Sequence, residues 1–88
     1  MNYNNLKPNK MEIKVLGTGC PKCRTLEQHT KDAVAQLGLA ANVSKVEDIV
    51  AIMNYGVMTT PALVIDEKVV VKGKVPSVND IKTLLTKQ

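Results

Sequence analysis

The 88-residue chain contains no tryptophan and no phenylalanine, and its only tyrosines are Tyr3 and Tyr55. It therefore lacks the aromatic platforms on which single-stranded nucleic acid bases stack. Its hydrophobic residues, 44% of the chain, are mainly Val, Ile, Leu, Met and Ala. A chain of this length and composition is expected to form one domain around a compact aliphatic core.

The chain also lacks a segment of one charge sign. Its 12 Lys and Arg residues against 8 Asp and Glu residues give a formal charge of +4. Lys7 and Lys10 lie near the start, and the other basic residues are interleaved with acidic ones. Because nucleic-acid binding normally needs a basic stripe, this distribution predicts a solvated surface and no nucleic-acid partner.

Long apolar runs are missing as well. No stretch approaches 18 uninterrupted apolar residues, and residues 1–10 lack the apolar run of a signal peptide. We therefore expect a cytoplasmic protein without a membrane partner, in which residues 1–10 form a flexible extension. Structural disulfides are rare in the cytosol, so a cysteine pair there is more often catalytic or metal-binding.

The first half of the domain reads as strand, helix, strand. Residues 12–16 are rich in β-branched side chains and end at Gly17, which is typical of a strand. Apolar residues then recur at helical spacing between Pro21 and Gly38, a pattern that predicts a helix with proline at its start and glycine at its stop. Residues 41–46 are predicted as a second strand.

The second half predicts a helix, two strands and a final helix. Asp48 is expected to open a short helix with an apolar face, which comprises Ile49, Val50, Ile52 and Met53. Residues 62–65 are continuously apolar, as in a strand covered on both faces, and a turn at residues 66–68 leads to a fourth strand. Ser77 and Asp80 match a capping box before the last helix.

The resulting order, β-α-β-α-β-β-α, predicts an α/β fold. A strand, helix and strand in succession imply a parallel crossover, and the later hairpin adds antiparallel strands to the same sheet. We therefore expect a four-stranded mixed sheet flanked by helices on both faces.

The only two cysteines form the segment Cys20-Pro21-Lys22-Cys23 at the first strand-to-helix junction. Residues three apart at a helix start have β-carbons about 5 to 6 Å apart, so a disulfide can close and open without refolding. Unpaired N–H groups and the helix dipole favour a thiolate on Cys20, the predicted nucleophile. Cys23 is the predicted resolving thiol, while Pro21 stiffens the turn and Lys22 adds a positive charge.

A permanent structural disulfide and a zinc site are the other interpretations of this cysteine pair. A disulfide closing so short a loop removes little entropy from the unfolded chain. A closed zinc site needs four ligands, and the only histidine, His29, is expected on the exposed side of the first helix, as an incidental residue. We therefore predict no metal and no cofactor other than the Cys20-Cys23 pair itself.

Two longer segments make the comparison with known families more specific. The runs "KVLGTGCPKC" and "YGVMTTPALVIDEKVVVKGKVPS", separated by a helix, a strand and a helix, resemble the thioredoxin superfamily. The sequence is most similar to the small glutaredoxin-like thioredoxins of prokaryotes, over residues 11–88. The resemblance implies a three-layer thioredoxin-like fold and a thiol-disulfide oxidoreductase.

The resemblance also implies roles for the segment before the third strand. The proline that Pro61 matches is cis and lies beside the active-site sulfurs, and the residue that Thr60 matches pairs its backbone with an extended substrate. The implied partners are a disulfide-containing protein substrate and an upstream thiol reductase. We also expect the protein to be a monomer.

The chain departs from its relatives at two places. Many thioredoxins carry a buried acid in the strand before the cysteines, where this chain has Lys14. Glutaredoxins bind glutathione partly through a Gly-Gly step followed by an acid, whereas residues 72–77 here read "KGKVPS". In that run, Lys72 and Lys74 are the positively charged residues that could attract an anionic thiol.

Two other functions keep the dithiol. One is a redox-sensing interaction domain, in which oxidation changes a surface that a partner recognises. The other is a heavy-metal chaperone domain, which carries Cys-x-x-Cys after its first strand. Such domains usually have Met two residues before the first cysteine, where this chain has Thr18, and they end on a strand.

Overall fold

The computed structural model describes residues 11–86 and contains the expected seven elements in the expected order. The strands are β1 (Met11–Leu16), β2 (Ala41–Val46), β3 (Ala62–Ile65) and β4 (Lys68–Lys72). The helices are α1 (Pro21–Leu37), α2 (Ile49–Asn54) and α3 (Val78–Thr86). The predicted extension at residues 1–10 and the last two residues of the predicted domain lie outside the described residues, so those boundaries stay predictions.

The strands form one mixed sheet in the order β2-β1-β3-β4. Strand β1 pairs in parallel with β2 and antiparallel with β3, which in turn pairs antiparallel with β4. The prediction of a four-stranded mixed sheet is therefore confirmed. All four residues of β3 are buried, as its continuous apolar sequence predicted.

Helices cover both faces of the sheet and give three layers. On one face α1 and α3 pack on β1 and β3, and the buried residues are Ile13, Val15, Leu26, Ala33, Leu63, Ile65, Ile81 and Leu85. On the other face α2 and the loop after it contribute Ile52 and Val57, which pack on Leu16, Ala62 and Val64. The central strand β1 thus supplies side chains to both cores and leads directly to the cysteines.

The predicted short helix with apolar residues is present as α2, but most of these residues do not pack on the sheet. Only Ile52 is buried, whereas Ile49, Val50 and Met53 are 60%, 64% and 58% exposed. A helix of six residues has fewer than two turns, so it presents only one or two positions to the sheet. Its remaining apolar side chains form a surface.

Local hydrogen bonds fix the element ends. The Asp48 carboxylate accepts from the Ala51 N–H over 3.2 Å and begins α2. The predicted capping box of α3 is present, since Ser77 Oγ accepts from the Asp80 N–H and the Asp80 carboxylate accepts from the Ser77 N–H. Asp66 and Glu67 have φ values of 49° and 69°, as in a two-residue hairpin turn.

His29 is not on an exposed side of α1, and that prediction is wrong. Its ring is half-buried, and Nδ1 lies 2.9 Å from the Pro76 carbonyl oxygen, to which it donates. The contact joins α1 to the loop before α3.

Candidate active site

The turn of residues 17–19 carries the chain from the end of β1 to the start of α1, and Cys20 is the N-cap of that helix. Cys20 has extended backbone angles (φ −68°, ψ 164°), and its Sγ accepts a hydrogen bond from the Cys23 N–H over 3.3 Å. Pro21 occupies the first helical position, where no N–H is needed. The sequence therefore places one sulfur at the helix start and the other one turn inside.

The two sulfurs differ in exposure. Both cysteines are free thiols, Cys20 is partly exposed, and Cys23 is only 5% exposed. Hydrogen bonding from the Cys23 side chain and backbone lowers the pKa of Cys20, with a smaller contribution from the Lys22 backbone N–H. Burial, followed by the hydrogen bond with Cys20, raises the pKa of Cys23.

This asymmetry defines what the pair can do chemically. An accessible sulfur with a lowered pKa is a nucleophile, and a buried neighbour with a raised pKa keeps its proton until it is needed. The contribution of Lys22 to the lowered pKa comes through its backbone, while the effect of its side-chain charge stays a prediction. Cys20 is not enclosed in apolar surroundings.

Gly17 gives Cys23 the space that it occupies. A β-carbon built on Gly17 would overlap the Cys23 Sγ and lie 3.0 Å from its Cβ. Sequence analysis took Gly17 only as the end of a strand, because the close approach of the two residues arises from the packing of α1 on β1.

The loop before β3 contains the proline that the resemblance singled out. The Thr60–Pro61 peptide bond is cis, as the resemblance implied, and Pro61 is buried. The Pro61 carbonyl accepts from the Gly73 N–H over 2.8 Å. Gly73, which directly follows β4, has φ of 67°. A β-carbon there would lie 3.0 Å from Thr59 Oγ1, so the loop before β3 packs closely against this glycine.

A groove of about 370 Å³ connects this loop with the segment before Cys20. Thr18, two residues before Cys20, and Thr60 both line it. Its apolar wall comes from α2 and the loop that follows, and consists of Ile49, Ile52, Met53, Val57 and Met58. Met58 is 88% exposed, which sequence analysis did not anticipate. Apolar side chains are thus available at an open surface beside the nucleophile's loop.

A second, smaller space of about 150 Å³ adjoins Cys23. Its walls carry charged groups from α1, from β2 and from the segment after β2, namely Arg24, Glu27, Lys45 and Glu47. Sequence analysis did not select these residues. The helical spacing of four between Cys23 and Glu27 was the one signal that placed them on the same helix face.

Lys14 does not contribute to that space. Its Nζ donates to the Tyr55 hydroxyl and to Glu67 Oε2, both over 2.9 Å, and Tyr55 donates to Glu67 Oε1. The hydrogen bonds that Lys14 donates to Tyr55 and Glu67 raise the pKa of Lys14, and the hydrogen bonds that Glu67 accepts from Lys14 and Tyr55 lower the pKa of Glu67. The residue at the position of the family's acid therefore belongs to a separate polar cluster.

Two observations concern other kinds of site. Within residues 11–86, no group of three or more His, Cys, Asp or Glu side chains is placed to hold a metal ion. No helix in the same range is long and apolar enough to cross a membrane.

Comparison with known proteins agrees with this geometry. A family model described as a thioredoxin domain matches residues 11–86. A thioredoxin of Methanocaldococcus jannaschii is 43% identical over 70 residues, which cover 80% of each chain. A thioredoxin of Methanothermobacter thermautotrophicus is 34% identical over 76 residues, which cover 86% of this chain and 99% of the relative.

Solved structures show the same fold at lower identity. Thioredoxin-2 of the malaria parasite, described as a component of its protein secretion machinery, superposes with a TM-score of 0.72 at 18% identity. The match covers 99% of this chain and 90% of that one. A structure described as a malarial protein gives a TM-score of 0.70 at 16% identity, covering 90% and 97% of the two chains. With two relatives above 30% identity and a matching family model, the chain belongs to the thioredoxin family of thiol-disulfide oxidoreductases.

Proposed function

We propose that the Cys20 thiolate attacks a disulfide of a protein substrate and forms a mixed disulfide with one of its sulfurs. Cys23 then attacks Cys20 Sγ, the bond between Cys20 and the substrate breaks, and the substrate leaves as a dithiol. Two electrons pass to the substrate, and the protein keeps the Cys20-Cys23 disulfide. An upstream thiol reductase restores the dithiol.

The observation that carries this proposal is the difference between the two sulfurs. Cys20 is accessible at the helix start with its pKa lowered, first by the hydrogen bond from the Cys23 side chain. Cys23 is buried within hydrogen-bonding reach of it, with a raised pKa. The attacking and resolving roles need these two properties, because only a thiolate attacks and the resolving thiol must not compete for the substrate.

The proposed substrate surface is the groove between Thr18 and Thr60. Thr60 is exposed and precedes the buried Pro61, so its backbone is available to an extended substrate segment. Met53 and Met58 supply flexible apolar side chains, which adapt to different sequences. We propose a substrate disulfide flanked by apolar residues, bound with little selectivity for individual side chains.

The remaining parts of the proposal concern the setting. We propose a monomer in the cytoplasm, with the cysteine pair as its only redox group and without a nucleic-acid or membrane partner. The interleaved charges support the absence of a nucleic-acid partner. The element order ends on helix α3, unlike that of a heavy-metal chaperone domain.

Trapping tests the mechanism directly. The Cys23→Ser variant should form a stable mixed disulfide with a peptide disulfide or with cytosolic proteins, and the Cys20→Ser variant should form none. Reduced wild-type protein should reduce the same peptide in repeated turnovers when a reductase is supplied. Absence of a trapped adduct together with tight copper(I) binding would favour the chaperone function, and absence of turnover alone would favour redox sensing.

A further inference from the structure

We propose that Glu27 is the proton acceptor that ionises Cys23 when the mixed disulfide is resolved, acting through water in the cavity that the two side chains share. The inference rests on the proposed function, since it concerns the second exchange of that reaction. Lys14 of β1 stands where many thioredoxins have a buried acid, and the inference assigns the task of that acid to a residue of α1.

The need for an acceptor follows from the state of the two sulfurs. Burial raises the pKa of Cys23, so this thiol carries its proton near neutral pH. In the dithiol form the neighbouring Cys20 has the lowered pKa and can accept a hydrogen bond from Cys23. Once Cys20 is bonded to the substrate it has no negative charge and cannot take the proton. The acceptor must therefore come from another group that reaches Cys23.

Four charged residues line the cavity beside Cys23, namely Arg24, Glu27, Lys45 and Glu47. Arg24 and Lys45 are cations and serve poorly as acceptors, which leaves Glu27 and Glu47. Lys14, on the strand below, faces Tyr55 and Glu67 instead. A cavity of about 150 Å³ with polar walls has room for several water molecules, each of which occupies about 30 Å³ in the liquid.

Glu27 is better placed than Glu47. It follows Cys23 by four residues in α1, so both side chains lie on one face of the helix. Its side chain is only 17% exposed, and it is held by Lys31 at 3.0 Å and Lys45 at 3.9 Å. Glu47 is exposed and follows β2, with Oε2 3.7 Å from the site of a β-carbon on Gly19.

The Cys23 thiol gives its proton through water to the Glu27 carboxylate, and the resulting thiolate attacks Cys20 Sγ. The new sulfur-sulfur bond forms as the bond between Cys20 and the substrate breaks, and the substrate departs as a thiolate. The proton on Glu27 returns through the open cavity to solvent or to that thiolate.

A single-turnover experiment tests the assignment. The reduced protein is mixed with a peptide disulfide between pH 5 and 9, quenched with acid, and the mixed disulfide is followed by mass spectrometry. Glu27→Gln should form the mixed disulfide at the wild-type rate and resolve it ~100-fold more slowly at pH 7. The difference should vanish at high pH, where Cys23 ionises without help, and Glu27→Asp should retain most of the rate.

Controls distinguish proton transfer by Glu27 from a loss of folding in the variant and from a failure of the proposed oxidoreductase function. Glu12→Gln removes a remote carboxylate and should resolve at the wild-type rate, while far-UV circular dichroism reports the folding of each variant. Wild-type resolution by Glu27→Gln at every pH, or an equal or larger loss in Glu47→Gln, overturns the assignment to Glu27. Failure of the wild type to form any mixed disulfide would instead overturn the proposed function.

Discussion

The Sγ atom of Cys23 lies against the α-carbon of Gly17, in the space that a side chain at position 17 would fill. The end of β1 therefore determines where the buried sulfur sits.

Gly17→Ala should disturb both stability and redox chemistry. Overpacking at a buried position costs about 1 to 3 kcal/mol, and a shifted Cys23 should close its disulfide with Cys20 more slowly. Urea unfolding and the rate of oxidation of the dithiol measure the two effects. Gly38→Ala is the matched control, since Gly38 has φ of 64° with open space around it and should lose stability without slowing oxidation. Oxidation of Gly17→Ala at the wild-type rate would contradict this prediction.

The lowered pKa of Cys20 should appear in its rate of alkylation. In Cys23→Ser, the midpoint of the rate against pH should lie below about 8.5, the value of a free thiol. Cys23→Ala removes the side-chain hydrogen bond, the largest cause of the lowered pKa, and should shift the midpoint upward. A midpoint like that of an unstructured cysteine in both variants would remove the basis of the activated thiolate.

The same shift has a consequence for stability. A thiol whose pKa is lower in the folded state stabilises the fold fully above its unfolded pKa, and this stabilisation is lost as pH falls through the folded pKa. We therefore compare Cys23→Ser, which keeps the Cys20 thiol, with the Cys20→Ser/Cys23→Ser double variant, which lacks it. As pH falls from about 8.5 to the lower folded pKa, the free energy of unfolding should decrease more in Cys23→Ser than in the double variant. Urea denaturation across that range makes the comparison.

Met58→Ser should weaken binding of substrates with apolar residues beside the disulfide. Losing part of the burial of a methionine side chain costs about 1 kcal/mol, so KM should rise about fivefold with kcat unchanged. Val50→Ser is the control, since Val50 is 64% exposed on α2 but does not line the groove. Steady-state kinetics with an apolar and a polar peptide disulfide should show the loss only for the apolar one.

Glu67→Gln should flatten the loss of stability in acid. Hydrogen bonds from Lys14 and Tyr55 lower the pKa of Glu67, so its stabilising effect is complete above the ordinary glutamate pKa of about 4.3. That effect is lost as pH falls through the lower folded value. Thermal denaturation between pH 2 and 6 should show a shallower decline for Glu67→Gln than for the wild type or Glu12→Gln. Disulfide reductase activity at neutral pH should not change.

The parts of this structure that sequence predicted correctly depend on local signals. Pro21 and Gly38 delimit α1, and Ser77 with Asp80 begins α3, because caps involve residues a few positions apart. The position of Cys20 at a helix start follows from the same signals. The element order then restricts the sheet to few arrangements.

The parts that sequence analysis missed depend on contacts between distant segments. The sequence shows that Ile49, Ile52 and Met53 are apolar, but what packs against a helix decides which of its apolar residues are buried, and here only Ile52 is. His29 looked exposed because its partner, the Pro76 carbonyl, lies 47 residues away. Glu27 and Lys45 meet beside Cys23 only because β2 pairs with β1, which no spacing in the chain reveals.

Strand β4 is at one border of the sheet, and it begins and ends with the exposed residues Lys68 and Lys72. A border strand offers free backbone groups to any other extended chain. If two copies aligned their β4 strands side by side, ammonium groups would meet at both ends of the pair. At high protein concentration and low ionic strength, repulsion between these lysines is therefore expected to oppose edge-to-edge self-association. Added salt screens the repulsion, so self-association should then increase.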